Sequence, residues 1–406
     1  MTNDDTKDFI NAHRDDDVRL LALQAARFPD VDMTYAVTQI AGWQKARQKL
    51  PSWAFTDGII YPPHLSLEQC SSETTALYKN RLCSRLLQQY SDDLPTTLVD
   101  LTGGFGVDFA FMAKAFQKAV YIEQQQALCQ IATNNLPLLG LTQAQVIQGD
   151  GMETLAAMSS CTMAYADPAR RDQHGARTYA ISDCTPDILS HLTMMLSKAR
   201  FVILKLSPML DIHKTIDDLQ RQHTDVVKEV HIVATGNECK ELLIVLSTLP
   251  MPQRICCVND HDTHTISIDQ WRDRSPLAIA DNDHIQAARY LFEPNVAIMK
   301  AGCFHILTSQ YQLRAISASS HLFISTIPHD DFPGRRFQIV NVSTLNKREL
   351  REKLKGITQA NITTRNFPLS VADIRKRLKL REGGTHYIFA TTTATGTHLL
   401  IVCIKV

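Results

Sequence analysis

Four acids, Asp100, Glu123, Asp150 and Asp167, each stand at the end of a short apolar run. The first opens a glycine-rich turn, Asp100-Leu101-Thr102-Gly103-Gly104-Phe105-Gly106-Val107-Asp108. Such a turn lets a ligand approach the backbone closely, and the helix that follows it favours anionic groups at its N-terminus. A dinucleotide-binding turn has a third glycine for close helix–strand packing. Counted from Gly104 and Gly106, that place is Phe109. Asp100 would repel a pyrophosphate, yet it suits a ligand carrying an amino group or a sulfonium. Glu123 is placed to hydrogen-bond ribose hydroxyls. Asp150, followed by Gly151, is placed to reach an adenine amino group. Ligands of open α/β sheets sit at the carboxyl ends of strands. One cofactor site is therefore expected from Asp100, Thr102, Gly103, Gly104, Gly106, Asp108, Glu123, Asp150 and Gly151. Taken singly, any of these acids can also be read as a loop acid or a helix cap.

The apolar runs predict the elements that carry these residues. Leu98–Leu101, Val120–Glu123, Ala144–Gln148, Met163–Ala166 and Arg200–Leu206 read as strands, with helical stretches between them. Strand and helix alternating at this spacing predict βαβ units and a parallel sheet. Val226–Val233 and Leu242–Leu246 are close enough for an antiparallel hairpin. Lys205-Leu206-Ser207-Pro208 ends the fifth strand at the same rim as Asp167, so Lys205 and Ser207 are expected to line an acceptor pocket. Residues 1–70 read as helical, with 17–26 and 35–50 at helical apolar spacing and Pro51 as a stop. Beyond 250 the pattern is mixed. A helix is expected at 283–291 and strands at 321–327, 337–340 and 356–363. Helices at 346–354 and 370–378 and a closing hairpin of 387–392 with 398–404 complete it.

The chain has 406 residues, too many for one ordinary core, and 44% are hydrophobic against 21% charged, as in a globular protein. No run is long and apolar enough to span a bilayer, and the acidic start does not read as a signal peptide. Ten scattered cysteines without a Cys-x-x-Cys pair suit reduced thiols in the cytoplasm, and neither they nor the histidines suggest a metal. Net charge is zero, but 333–381 carries an excess of ten positive charges. That predicts either a solvated face or a polyanionic partner.

The Asp100–Gly106 turn, Glu123, Asp150 and Asp167-Pro168-Ala169-Arg170 together resemble the successive motifs of class I S-adenosylmethionine-dependent methyltransferases. More closely, the chain resembles a bacterial methyltransferase family with a C-terminal THUMP-like domain. The closer match rests on Tyr61–Glu73, Ala166–Arg171, Leu204–Met209, Asn237–Glu241, Tyr290–Asn295 and Gly383-Gly384. The resemblance implies a Rossmann-like α/β sheet with an N-terminal helical domain and small α+β C-terminal domains. The expected boundaries are 1–70 helical, 71–272 methyltransferase, 273–330 ferredoxin-like and 331–406 THUMP-like. It implies S-adenosylmethionine as methyl donor, and a segment around Cys70–Ser72, with Glu73, Tyr78 and Lys79, that closes over the cofactor's methionine end.

Asp167-Pro168-Ala169-Arg170 resembles the Asp/Asn-Pro-Pro-aromatic motif of enzymes that methylate amino groups. There a carboxylate and a carbonyl accept the amino hydrogens and aim the nitrogen lone pair. Asp167, Pro168 and Arg170 are the catalytic candidates and Arg171 an acceptor-binding one. Arg170 stands where the family motif has an aromatic, and arginine can stack on a base or hold a phosphate. THUMP domains are associated with structured RNA, so Arg375, Lys376, Arg377, Lys379 and Arg381 are the expected phosphate contacts. The leading expectation is methylation of a base nitrogen in tRNA or rRNA. DNA, protein or small-molecule acceptors stay open, as does a non-catalytic S-adenosylmethionine- or RNA-binding module.

Overall fold

A computed structural model of the chain describes residues 3–90, 95–170 and 181–406, with the backbone alone at His64 and Arg170. The expected role of Arg171 therefore falls outside the described residues, and so does the side chain of Arg170. The chain divides into two compact units, Met1–Val230 with Lys240–Met251, and His231–Cys239 with Pro252–Val406.

The first unit opens with helices α1 (Asp4–Ala12), α2 (Val18–Leu23), α3 (Met33–Lys49), α4 (Pro51–Ala54), α5 (His64–Gln69) and α6 (Glu73–Tyr90). The acidic lean of this region has a local purpose. Asp17 accepts from the N–H groups of Arg19 and Leu20 to cap α2, and Asp32 accepts from Tyr35 N–H to cap α3. Such caps contribute roughly 1 kcal/mol each. Phe9, Leu21, Ala36 and Ile40 form a small core beneath. Pro51 cannot donate to a continuing helix, so α3 stops at Lys49 and α4 starts with that proline at its first position. Gln39 exchanges two hydrogen bonds with the Tyr61 backbone, at 3.0 and 2.8 Å. Trp53 meets Phe105 edge-on at 4.9 Å, which ties the helices to the glycine turn.

The sheet follows in chain order: β1 (Thr97–Asp100), α7 (Val107–Met112), β2 (Lys118–Glu123), α8 (Gln126–Leu138), β3 (Ala144–Gln148), α9 (Gly151–Ala157) and β4 (Cys161–Ala166). The short β5 (Ala169–Arg170) and β6 (Cys184–Thr185) pair with each other, and α10 (Ile188–Lys198), β7 (Ala199–Leu206), α11 (Ile212–Gln222), β8 (Val227–Thr235) and β9 (Glu238–Leu246) complete the series. The strand order is β3-β2-β1-β4-β7-β9-β8. β1, β2, β3, β4 and β7 run parallel, and β9 is antiparallel to β7. All six residues of β4 are buried, as a parallel strand covered on both faces requires. From β1 the chain winds outward through β2 and β3, then returns to place β4 on the other side. This reversal makes a switch point at the carboxyl ends of β1 and β4, where Asp100 and Asp167 lie. It is the doubly wound α/β fold expected from the sequence.

The second unit contains β10 (Arg254–Asn259), β11 (Asp262–Ser267), α12 (Ile268–Arg272), α13 (Asn282–Ala287), β12 (Tyr290–Pro294), α14 (Val296–Ala301), α15 (Phe304–Gln310), β13 (Arg314–Ala315), β14 (Phe323–Ser325) and β15 (Gly334–Ser343). It ends with α16 (Lys347–Lys353), β16 (Asn361–Arg365), α17 (Val371–Leu378), β17 (His386–Thr392) and β18 (His398–Lys405). A seven-stranded sheet runs β13-β14-β12-β15-β18-β17-β16. One of its faces buries Leu291, Phe337, Phe389 and Ile401, and the other buries Ile362, Ile388 and Val402 with Ile374 of α17.

Two expectations differ here. The helix expected at 283–291 ends at Ala287, and Tyr290–Pro294 is a strand flanked by β14 and β15. Its buried run has no alternation, so helix end and central strand look alike in sequence. The strand expected from Gly356 starts at Asn361. Gly356 takes a φ of +86°, and Ile357 N–H closes a turn on Leu354.

Glu293 of β12 is 3% exposed and accepts from Arg335 Nε at 2.6 Å and from Arg365 Nη2 at 2.8 Å. Removing one partner of a buried ion cluster strands the others. Glu293→Gln is expected to cost about 3–5 kcal/mol of stability in this unit. Chemical denaturation checks this, and a loss under 1 kcal/mol would contradict it.

Candidate active site

The glycine turn owes its shape to its neighbours. A Cβ on Gly103 would lie 2.3 Å from the Tyr121 ring, and Gly104 and Gly106 take φ of +57° and +83°. The Gly103 N–H donates to Ile122 carbonyl at 2.8 Å, so the turn is pinned across β1 and β2. Gly151 is equally constrained, because a Cβ there would sit 2.1 Å from the Leu101 carbonyl oxygen. Gly151→Ala is therefore expected to destabilise by about 1–3 kcal/mol, as overpacking does, and to disturb ligand binding at the turn. Thermal melting with and without ligand measures both effects.

The four strand-end acids surround one cavity of about 1330 Å³. That exceeds the roughly 300–1,000 Å³ usual for a single small ligand. Asp100 is 1% exposed, and its Oδ1 accepts from Thr102 N–H at 3.0 Å. Burial, reinforced by Asp108 and Asp167, pushes its carboxyl up to about 8 against the pull of that N–H and of Lys205. Glu123 accepts from Gly104 N–H at 2.9 Å and from Gln125 N–H at 2.8 Å, which fixes its carboxylate at the turn. Asp150 is an N-cap, accepting from Met152 and Glu153 N–H at 2.8 and 3.0 Å and from Gln124 Nε2 at 2.9 Å. The capping role open to each of these acids is the one Asp150 takes in this structure, and it still lines the cavity.

Asp108 is buried in the first turn of α7. Its Oδ2 accepts from Ser71 and Tyr165 hydroxyls, both at 2.8 Å, and from Lys205 Nζ at 3.2 Å. Its Oδ1 makes no hydrogen bond and faces the Lys79 ammonium 3.1 Å away. Burial alone would raise this carboxyl, but Lys205 and Lys79 hold it well below the usual range. Lys205 also bonds Asp167 Oδ2 at 2.6 Å. Burial opposes the ammonium charge of Lys205, yet Asp108 and Asp167 keep it well above the ordinary lysine value. The Asp167 side chain is 41% exposed, and the Asp167 N–H donates to Thr102 Oγ1 at 2.7 Å.

The structure thus brings Asp100, Thr102, Gly103, Gly104, Gly106, Asp108, Glu123, Asp150, Gly151, Asp167, Pro168, Lys205 and Ser207 around one cavity. Cys70 and Ser71 line it too, whereas Glu73 turns to the Ser52 hydroxyl at 2.9 Å. Sequence reasoning missed Tyr165 and did not single out Glu241, which is buried against Lys79 and whose carboxyl burial pushes up against the pull of that ammonium. A lysine on the apolar face of α6 was the available signal for this pair. Among the described residues, no group of three or more His, Cys, Asp or Glu could hold a metal ion. No described helix is long and apolar enough to cross a membrane.

The five basic residues expected to contact phosphates lie on and just after α17. Lys376, Arg377, Lys379 and Arg381 are exposed, and Arg375 is half-buried with Nη1 3.4 Å from Ala360 carbonyl. Arg377 donates to Leu345 carbonyl at 3.2 Å.

Residues 334–405 match the family model of a THUMP domain-like region and 290–333 that of a ferredoxin-like domain. A solved protein from Porphyromonas gingivalis W83, assigned as a methyltransferase, is 31% identical over 99% of this chain and 97% of its own, with a TM-score of 0.83. A Listeria monocytogenes protein assigned as a class I S-adenosylmethionine-dependent methyltransferase is 8% identical over 64% of this chain and 94% of its own, with a TM-score of 0.41. A Pyrococcus horikoshii protein assigned as an RNA methyltransferase is 13% identical over 50% of this chain and 99% of its own, with a TM-score of 0.35. No curated protein matches the chain.

Proposed function

Since the chain belongs to the methyltransferase family of the Porphyromonas gingivalis protein, we propose that it transfers a methyl group from S-adenosylmethionine to a base nitrogen in structured RNA, tRNA or rRNA. The observation that carries this reading is the cavity at the β1/β4 switch point, lined together by Asp100, the glycine turn and Asp167.

The residues present fit this methyl donor. The turn offers no cation that would repel a sulfonium or an ammonium, and a Cβ on Gly104 would meet nothing nearer than 3.8 Å. Asp100 supplies a buried carboxyl and Glu123 a fixed carboxylate for ribose hydroxyls. When bound, S-adenosylmethionine supplies an electrophilic methyl carbon on a sulfonium. Asp167 accepts hydrogen bonds from the acceptor N–H groups and turns the nitrogen lone pair toward that carbon. Lys205 holds Asp167 at 2.6 Å, so the carboxylate stays aimed. Positioning of this kind can account for several kcal/mol of barrier lowering.

The basic segment supports RNA as the acceptor. Among the described residues, no hydrogen bond or ion pair engages the side chains of Lys376, Lys379 and Arg381, so their charges are available to phosphates. Tritiated methyl transfer to RNA, DNA, protein and small-molecule fractions tests the acceptor class directly. Label in RNA is the expected result, and label only in another fraction would replace RNA as acceptor. Replacing Lys376, Lys379 and Arg381 with Ala is expected to weaken RNA binding. It should also lower the slope of log affinity against log salt by about one for each phosphate no longer neutralised. An unchanged slope would remove this segment from the interface.

A further inference from the structure

Lys79 has no exposed side chain, and it sits on the face of α6 that also buries Ala76, Leu82, Cys83 and Leu86. An apolar side chain would fill that place without desolvating an ammonium. Its surroundings suggest another reason for it. Lys79 Nζ pairs with Glu241 of β9, lies 3.4 Å from Ser71 Oγ and 3.3 Å from Thr75 carbonyl, and faces Asp108 Oδ1 at 3.1 Å. Asp108 Oδ2 in turn holds Lys205 at 3.2 Å, and Lys205 holds Asp167 at 2.6 Å. Glu241, Lys79, Asp108, Lys205 and Asp167 therefore alternate in sign along one line. The first four are buried or nearly so, Asp167 is the most exposed, and all but Lys79 line the cavity.

We propose that Lys79 and Glu241 are positioning residues for the Lys205–Asp167 couple, acting through Asp108. This rests on the reading of Asp167 as the group that orients the acceptor nitrogen. Lys205 stands between two carboxylates, Asp108 and Asp167, and its position depends on how strongly each draws it. Lys79 neutralises part of the Asp108 charge, which leaves Lys205 bonded more closely to Asp167 than to Asp108. Glu241 keeps Lys79 in place from the far side. Without the pair, Asp108 would draw Lys205 inward and Asp167 would lose its fixed direction. Neither Lys79 nor Glu241 needs to touch either substrate.

Single substitutions at either position leave a buried charge unpaired and can prevent folding. The test is therefore the neutral double variant Lys79→Met/Glu241→Leu, made alone and together with Asp167→Asn. Melting temperature, S-adenosylmethionine affinity by calorimetry, and kcat and KM for tritiated methyl transfer to RNA from cells lacking the protein are measured. The double variant is expected to melt within a few degrees of wild type and bind S-adenosylmethionine within about threefold. Its kcat should fall tenfold or more at nearly constant KM for RNA. In the Asp167→Asn background the same double change should have almost no further effect on kcat, because residues acting as a unit are non-additive. An unchanged kcat, a loss of S-adenosylmethionine affinity, or fully additive losses would overturn the proposal. A wild-type protein that transfers no methyl group to RNA would overturn the proposed function itself, and this inference with it.

Discussion

Asp167→Asn is expected to lower the rate of methyl transfer on the order of 10²–10³-fold, the loss typical when one preorganised hydrogen-bonding group is removed. S-adenosylmethionine affinity should change only a few-fold. Asparagine keeps the size and one carbonyl oxygen, so the local backbone, with Asp167 N–H on Thr102 Oγ1, should persist. It loses the charge that balances Lys205, and it places an amide NH2 where an acceptor oxygen was needed. The loss should fall on kcat rather than on KM, since the interaction matters most when the nitrogen is aligned for attack. Asp167→Ala should be at least as damaging, because Lys205 is then left with Asp108 alone. Single-turnover kinetics with saturating cofactor give the measurement. A rate within twofold of wild type for Asp167→Asn would exclude the orienting role.

The second large effect is a pH dependence of cofactor binding. Burial raises Asp100 to about 8, so the ligand-free carboxyl is protonated at neutral pH. A cationic ligand beside it favours the ionised form, and binding should release a proton. Affinity for S-adenosylmethionine should therefore rise with pH, by up to about tenfold per pH unit, and level off above about 8. The neutral product S-adenosylhomocysteine should show a shallower rise. Asp100→Asn should bind weakly at every pH, with a flat profile. Calorimetry in buffers of differing ionisation enthalpy reports the proton directly, and a pH-independent wild-type affinity would refute the linkage. The ligand-free stability has the opposite sign. A carboxyl raised in the folded state stabilises fully below its unfolded value near 3.8 and loses that contribution as pH climbs toward about 8. Asp100→Asn should then melt higher than wild type above pH 8.

The succession of strands along the chain, the glycine turn and the strand-end acids were legible because each rests on local rules. A parallel strand covered on both faces is a run of apolar residues, as β4 is, and the residue after such a run stands at the ligand-binding rim. Turn glycines announce themselves where no side chain fits, as at Gly103 and Gly151. The aspartates of the first 32 residues, by contrast, read only as net charge until Asp17 and Asp32 proved to be caps. β12 was hidden because a central strand and the end of a helix share one apolar pattern.

What the sequence by itself determined was the set of elements and the residues at their ends. What only the tertiary structure decided was which buried charges meet. Ser71, Lys79, Asp108, Tyr165, Lys205 and Glu241 come from α6, α7, β4, β7, β9 and the segment before α6, and no spacing rule links them. Buried charges are stable only beside partners of opposite sign or hydrogen-bond donors. Those partners come from distant parts of the chain, so the packing of the elements fixes the pairing. The same physics divides the roles of the acids. Asp150 closes a helix because its own backbone N–H groups lie within reach, and Asp167 faces the cavity because Lys205, 38 residues on, holds it there.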